Sequence, residues 1–460
     1  MKILLTGATG LVGKELGKSL VAKGHELVVI SRSKEKASKE IPFPCQVIEA
    51  DLVASALNEK IKVDGVFHLL GESVAGKRWN KEIKNEILVS RTQSTKNLIE
   101  SLADAPSFLI SASAIGYYGD RPGEDLTEES SPDSSYLSKV CQEWEKAVFQ
   151  AKIKFPNTQV SVIRIGVVLA EKGGALDKML FPFKAGLGGA LASGKQMMSW
   201  IHLQDLVHIF EFIQEKKLSG IFNGVAPESN TNLNFSRQLA DTLQRPLGPA
   251  IPEFAIRLLF GEVAQVVISD QKVNCKKLLS LGFNYTFKTL KSAFDDVLKN
   301  QKKSDEYFIS EQFIPLQRSE LYPFFSEAKN LEEITPDSLS FKIKNVSTAK
   351  IEKGTLIDYD LKIHGIPAGW KTLIEEWQPL ERFVDTQLKG PYKLWHHTHE
   401  FVELANGTLM RDKVRFQLPF GFLGWVVANQ FVKADVKKIF NYRRNKIYDL
   451  FVKEKIPRKN

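Results

Sequence analysis

Through roughly the first 170 residues, apolar runs of strand length alternate with helical patterns. Residues 2–6 (Lys-Ile-Leu-Leu-Thr) read as a strand followed after a short loop by a helix-compatible stretch, 14–22. Further strands are read at 25–30, 46–49 and 65–70, a short one at 107–111, and an apolar, β-branched one at 159–169. Residues 88–102 and 135–151 carry helical periodicity. Strands alternating with helices at this spacing predict a parallel, doubly wound α/β sheet. From about residue 173 the pattern breaks into glycine-rich and mixed segments, as expected for a substrate lobe built on the carboxyl ends of the strands; it is placed at 173–300.

Residues 301–306 are polar and charged and read as a linker. Beyond them alternation takes over. Tyr307, Ile309 and Phe313 share one strand face, Ile357, Tyr359, Leu361 and Ile363 another, and Val414 and Phe416 a third. A run of antiparallel strands closed by one long C-terminal helix predicts an α+β domain over 307–455, with a curved sheet wrapping a helix.

The chain has 460 residues, more than one hydrophobic core usually supports, so more than one domain is expected. No apolar run reaches the length of a membrane span, and the opening strand is too short for a signal peptide core. Cys45, Cys141 and Cys275 are far apart and odd in number, which excludes a legible disulfide framework or zinc cluster and suits a reducing cytoplasm. The net charge of +9 is spread along the chain except near its end, where Lys437, Lys438, Arg443, Arg444 and Lys446 accompany Val432, Val436, Phe440, Ile447 and Phe451 at helical spacing. These charges read as the wet side of an amphipathic helix, not as a nucleic-acid footprint.

The first strand stops at Gly7-Ala-Thr-Gly10-Leu-Val-Gly13. In this pattern Gly7 permits the tight turn, Gly10 lets backbone approach a pyrophosphate, and Gly13 lets helix sit close to strand. Thr9, Leu11 and Val12 complete the loop, whose helix N-terminus favours an anion. At the end of the second strand, where an acid would bind a ribose 2′-hydroxyl, the chain reads Ile30-Ser31-Arg32-Ser33, followed by Lys34 and Lys36. A guanidinium beside hydroxyls suits a 2′-phosphate, so NADP is expected over NAD. Asp51 and Leu52, after the third strand, are placed to contact adenine.

Residues His68-Leu-Leu-Gly-Glu72, Arg78-Trp79, Ser90-Arg91, Ser113-Ala-Ile-Gly-Tyr-Tyr-Gly119, Trp144-Glu145, Arg164-Ile-Gly-Val-Val-Leu169, Trp200-Ile-His202 and Asn223-Gly-Val-Ala-Pro227 occur in an order that resembles the extended short-chain dehydrogenase/reductase superfamily. Within it, the epimerase-like group of NADP-dependent oxidoreductases, sometimes labelled as cell-division inhibitors, is the most similar over residues 1 to about 300. The resemblance implies a Rossmann-type domain, NADP as cofactor, Gly71 and Glu72 as further cofactor contacts, and a cleft bordered by Trp200 and His202. It also implies a serine polarising the substrate oxygen, at Ser113, and a tyrosine moving a proton, at Tyr136, with Tyr117 and Tyr118 as alternatives. The superfamily places a lysine four residues after the tyrosine. Here that residue is Val140, and Lys139, three residues on, points about 100° away on a helix. Without its cation a tyrosine stays near its ordinary pKa of about 10.

In the second domain, strand alternation puts Trp395, His397, His399 and Phe401 on one face, which Asp385 and Asp412 join if the register allows. Phe383-Val-Asp385, Gly390-Pro391 and these residues make the segment similar to the SRPBCC, or START-like, helix-grip superfamily. That resemblance implies an apolar cavity between sheet and last helix, with Asp385, Trp395, His397, His399 and Asp412 as polar or aromatic groups of its floor. Metal ligation by the histidines and buried histidines bonded to carboxylates are the alternatives, and the reading adopted contains no metal.

The function expected from these residues is an NADP-dependent oxidoreductase or epimerase-like enzyme acting on an unidentified small molecule and fused to a domain for a hydrophobic ligand. One alternative is an NADP-binding sensor without turnover, which Val140 favours. Another is a lipid or isoprenoid carrier touching membrane through Phe420, Phe422 and Trp425. Neither nucleic acid nor a transmembrane segment is expected, and the oligomeric state is not legible.

Overall fold

The computed structural model describes residues 1–301, 305–419 and 421–453, the side chains of residues 421–423, 425 and 427 excepted. Lys302, Lys303 and Ser304 of the expected linker, and the side chains of Phe420, Phe422 and Trp425, lie outside the described residues. The chain divides into two compact units, Met1–Lys34 with Cys45–Lys299, and Glu35–Pro44 with Asn300–Asn460.

The first unit is built on one parallel sheet of seven strands. Five of them are β1 (Lys2–Thr6), β2 (Glu26–Ser31), β3 (Gln46–Glu49), β4 (Gly65–His68) and β5 (Phe108–Ala114). The spatial order is Gly220–Gly224, Gln159–Ile165, β5, β4, β1, β2, β3. Ile3, Leu4 and Leu5 are wholly buried on both faces of β1, which is why the strand reads as a continuous apolar run. Chain order reverses between β1 and β4, and a doubly wound sheet opens its crevice for ligands at the carboxyl ends flanking such a reversal.

One expected strand is two. The stretch 159–169 leaves the main sheet after Ile165, and Val167–Leu169 pairs in parallel with Trp200–His202. An unbroken β-branched run does not reveal such a change of partner, because both halves are equally apolar.

The turn after β1 is set by two close contacts. Gly7 has φ +71°, and a Cβ there would meet the Leu69 carbonyl oxygen at 2.7 Å. On helix α1 (Leu11–Ala22), a Cβ at Gly13 would fall 2.2 Å from the Gly7 carbonyl oxygen. The helix therefore sits against the end of β1 at a distance that only glycine permits.

The second unit holds a seven-stranded antiparallel sheet in the spatial order Glu306–Ile314, Gly407–Gln417, Leu394–Leu404, Arg382–Lys389, Ile366–Gln378, Leu356–Ile363, Lys342–Val346. The helix Gly421–Tyr448 packs on one face of it. Val436 and Phe440 join Val414, Phe416 and Leu418, while Ile447 joins Phe401, Met410 and the short helix Arg318–Phe325. On Glu306–Ile314 the buried positions are Glu306, Ser310, Gln312 and Ile314, and Tyr307, Ile309 and Phe313 are half-buried on the opposite face. The buried polar positions are answered by the long helix: Lys433 pairs with Glu306 at 3.0 Å, and Arg444 donates to Ser310 at 2.9 Å. Alternation marks this strand, but its apolar residues do not mark its inward side.

Gly13→Ala is expected to cost about 1–3 kcal/mol through overpacking, read as a lower midpoint in urea. Gly76→Ala, whose Cβ would meet nothing nearer than 3.7 Å, serves as the neutral control.

Candidate functional site

At the end of β1 the Thr6 hydroxyl lies 2.8 Å from His68 Nδ1 and accepts the Leu69 N–H at 3.2 Å. His68 Nε2 lies 2.9 Å from the Thr95 hydroxyl, and burial pushes the imidazole pKa down to about 3. It is a neutral clamp that fixes the carboxyl ends of β1 and β4 beside the glycine loop. Gly10 caps α1 without a side-chain bond, and no acid occupies the first turn, so the N–H groups of Leu11, Val12 and Gly13 retain the helix's anion-binding capacity.

The second ribose-side group comes from β2 and the segment after β4. An Arg32 guanidinium nitrogen lies 3.2 Å from a Glu72 carboxylate oxygen, and the two side chains are 71% and 48% exposed. An exposed pair of this kind is worth little, so the guanidinium is free to exchange its partner for a more highly charged anion. The Glu72 backbone is fastened from below: its N–H donates to Ser90 Oγ at 3.1 Å and its carbonyl accepts from Arg91 at 2.9 Å. A Cβ on Gly71 would stand 3.0 Å from the Arg91 guanidinium carbon. Asp51 accepts the Val53 N–H at 2.9 Å in a tight turn. Leu52 corrects the expectation, because its side chain is buried in the core and is not presented to a base.

Ser113 is likewise not presented to substrate. Its hydroxyl is buried and donates to Glu145 Oε1 at 2.7 Å. Glu145 also receives Arg164 Nε at 2.9 Å and the terminal nitrogen at 2.8 Å, a bidentate pair with both side chains buried. The Arg164 guanidinium extends to Tyr118 Oη at 3.0 Å, and Tyr118 donates to Asn223 Oδ1 at 2.7 Å. It also lies 3.3 Å from the Tyr117 ring centroid, so Tyr117 and Tyr118 both pack on this cation. Burial pushes the Tyr118 phenol up to about 12 despite Arg164, which disfavours a phenolate at neutral pH.

Tyr136 opens the helix Tyr136–Lys154, and its hydroxyl donates to the Lys84 carbonyl. The ring meets Trp79 edge-on at 5.3 Å, and partial burial raises its pKa, offset in part by Arg91. Val140 is buried in the helix's core face and Lys139 is exposed, so neither residue brings a cation to the phenol. Arg91 does so from the facing helix, Lys81–Glu100.

Trp200 does not border a cleft, whereas His202 lines a hollow of about 450 Å³ together with Ser19, Gln204 and Asp296. Trp200 is fully buried on its short strand. His202 Nδ1 accepts the Gln204 N–H at 3.1 Å as the cap of Leu203–Glu215, and its ring stacks on Phe287 at 3.7 Å. Burial lowers its pKa even though Asp296 lies 3.3 Å away.

In the second unit the register sets Asp385 opposite His397, and Asp412 opposite His399. His397 Nε2 is 3.1 Å from Asp412 Oδ1 and its Nδ1 is 3.4 Å from Asp385 Oδ2. His399 Nδ1 is 2.9 Å from Asp412 Oδ1 and its Nε2 is 3.0 Å from Asp385 Oδ2. Burial, reinforced by the neighbouring His399, pushes the His397 pKa down to about 4. Burial also opposes ionisation of Asp412, but Arg443 and the two imidazoles outweigh it and hold the carboxyl well below its ordinary range. Asp385, His397 and His399 line one end of a cavity of about 900 Å³, otherwise walled mainly by apolar groups such as Ile357, Leu361, Trp370, Trp395 and Phe440.

Residues 3–223 match the NAD dependent epimerase/dehydratase family, and residues 251–297 match a domain of unknown function, DUF1731. An Arabidopsis thaliana protein described as epimerase family protein SDR39U1 homolog, chloroplastic, is 37% identical over 308 residues, covering 65% of this chain and 87% of the relative. The SDR39U1 protein of Bos taurus is 34% identical over 307 residues, which is 65% of this chain and all of that one. The chain belongs to the SDR39U1 epimerase family. A crystal structure of human SDR39U1, isoform 2, with NADPH superposes with a TM-score of 0.59 at 33% identity, covering 65% of this chain and 100% of the human one. The SDR39U1 likeness covers the first unit and its DUF1731 segment. Among the described residues no helix is long and apolar enough to cross a membrane. The plant SDR39U1 relative is named chloroplastic, so sparse cysteines alone do not specify cytoplasm in this family.

Glu145 and Arg164 stood within the quoted motifs, yet nothing in their spacing showed that they pair. Arg443 was grouped with the exposed charges of the last helix, whereas it is buried beside His399 and Asp412. Its signal was there: Val436, Phe440, Arg443 and Ile447 recur at steps of four, three and four along one helix face.

Glu145→Ala leaves Arg164 charged and unpaired in the core and is expected to cost about 3–5 kcal/mol. Ser113→Ala removes one donor to that carboxylate and is expected to cost about 1.5–3 kcal/mol. Urea unfolding measures both; loss of turnover in Ser113→Ala with unchanged stability would return the hydroxyl to catalysis.

Proposed function

We propose that the first unit binds NADP(H) and acts as an oxidoreductase or epimerase-like enzyme on an unidentified small molecule, and that the second unit binds a hydrophobic ligand. The glycine loop feeding the uncapped N-terminus of α1, with Arg32 at the end of β2, carries the cofactor reading. The human relative solved with NADPH supports it. Gly7, Thr9, Gly10, Leu11, Val12 and Gly13 hold the pyrophosphate, Arg32 the 2′-phosphate, and Asp51, Gly71 and Glu72 the nucleoside side. When bound, the nicotinamide supplies hydride chemistry. Tyr136 is the proton-moving group of this reading, with Tyr117 as the alternative. For the second unit, an antiparallel sheet, a long helix and an apolar cavity between them support a helix-grip, START-like reading.

A sensor that binds NADP(H) without turnover is the second reading. It is favoured by the engaged hydroxyls of Ser113 and Tyr136 and by buried Val140.

Arg32→Ala is expected to weaken NADPH binding about tenfold to a hundredfold, the worth of lost charge-assisted hydrogen bonds, and to leave NADH binding unchanged. Quenching of tryptophan fluorescence on titration measures both; equal weakening would refute the 2′-phosphate assignment. Oxidation of NADPH with a panel of carbonyl compounds, compared with Tyr136→Phe, separates enzyme from sensor: turnover that the substitution removes supports the enzyme. Tight binding without turnover supports the sensor.

A further inference from the structure

The two histidines of the second unit lie in a buried polar cluster that opens on the cavity. Four imidazole nitrogens each stand within 3.4 Å of a carboxylate oxygen. His397 Nε2 bonds to Asp412 Oδ1 at 3.1 Å, and His399 Nε2 bonds to Asp385 Oδ2 at 3.0 Å. Arg443 donates to His399 Nδ1 at 3.4 Å and stands 3.7 Å from Asp412, so the helix side of the cluster already has its cation. His397 Nδ1 stands 3.4 Å from the same Asp385 oxygen that His399 Nε2 meets. Two imidazole nitrogens thus converge on one carboxylate oxygen beside the cavity.

We propose that Asp385 Oδ2, His397 Nδ1 and His399 Nε2 bind a first-row divalent cation at the end of the apolar cavity. Neighbouring ligands about 2.1 Å from one ion stand about 3.0 Å apart at right angles and about 3.4 Å apart at the tetrahedral angle. The two separations from Asp385 are of this size, and the donor atoms of all three residues lie within 4.8 Å of one another. Two nitrogens and one oxygen form a donor set suited to zinc or iron(II). The ion takes the place of the proton between His399 Nε2 and Asp385, and Asp412 bonds the outward Nε2 of His397, the arrangement that fixes tautomer and ring orientation at histidine metal sites. Asp412 lies behind the imidazoles while the three ligands line the cavity, so the ion's open positions face the space a ligand fills. The cation is a Lewis acid that anchors an oxygen of an otherwise apolar guest.

The test is a cobalt(II) titration of the full chain after treatment with a chelator. The expected result is one equivalent bound with intense visible d–d bands that zinc abolishes. His397→Gln with His399→Gln is expected to lose these bands. The milder Asp412→Asn is expected to keep the stoichiometry and weaken affinity about 10–100-fold. A wild-type chain without d–d bands overturns the proposal whatever the variants do, and so does persistence of the bands in the double variant.

Discussion

The contact of α1 with the end of β1, made at Gly13 against the Gly7 carbonyl, is the constraint on which the nucleotide half depends. Any Cβ at Gly13 pushes the helix N-terminus away from the crevice at the β1/β4 reversal. The helix's unpaired N–H groups would then lose the place where an anion meets them. The neutral His68 clamp and the Arg91 bonds to the Glu72 segment serve the same end from the other side, holding the chain after β4 at a fixed distance from that loop.

Both units bury charge, and in both the charges are compensated within a small polar cluster. In the first, Glu145 and Arg164 meet in bidentate geometry, with Ser113, Tyr118 and Asn223 extending the bonds. Every strong donor there has an acceptor, and the cluster reads as architecture that joins β5 to the neighbouring strand and the helix Tyr136–Lys154. In the second, Asp385, His397, His399, Asp412 and Arg443 meet, and Asp385 and both imidazoles line the cavity. The first cluster is sealed in the core, whereas the second opens on a space that a ligand fills.

Family motifs were legible because they are local. The glycine loop, Arg32 at the end of β2 and the alternation of Trp395, His397 and His399 each follow from a few neighbouring positions. Roles that depend on a distant partner were not. Ser113 stands in a strand-end motif that suggests catalysis, and only the arrival of Glu145 from a helix 32 residues later shows where its proton goes. For His202, nothing along the chain shows that it caps a helix and stacks on Phe287. Arg443 looked like a solvated charge because hydropathy ranks arginine as exposed whatever faces it.

By itself the sequence determined the two fold classes, the nucleotide loop, the absence of a lysine four residues after Tyr136, and the shared face of the two histidines. Those features rest on periodicity and short-range sterics, which act between residues close along the chain. Tertiary structure alone decided which hydroxyls and carboxylates are engaged, where 159–169 divides between two sheets, and how Asp385 and Asp412 bracket the imidazoles. Strand register and helix docking bring together groups far apart in the chain, and the geometry of a buried polar group is fixed only when every partner has arrived.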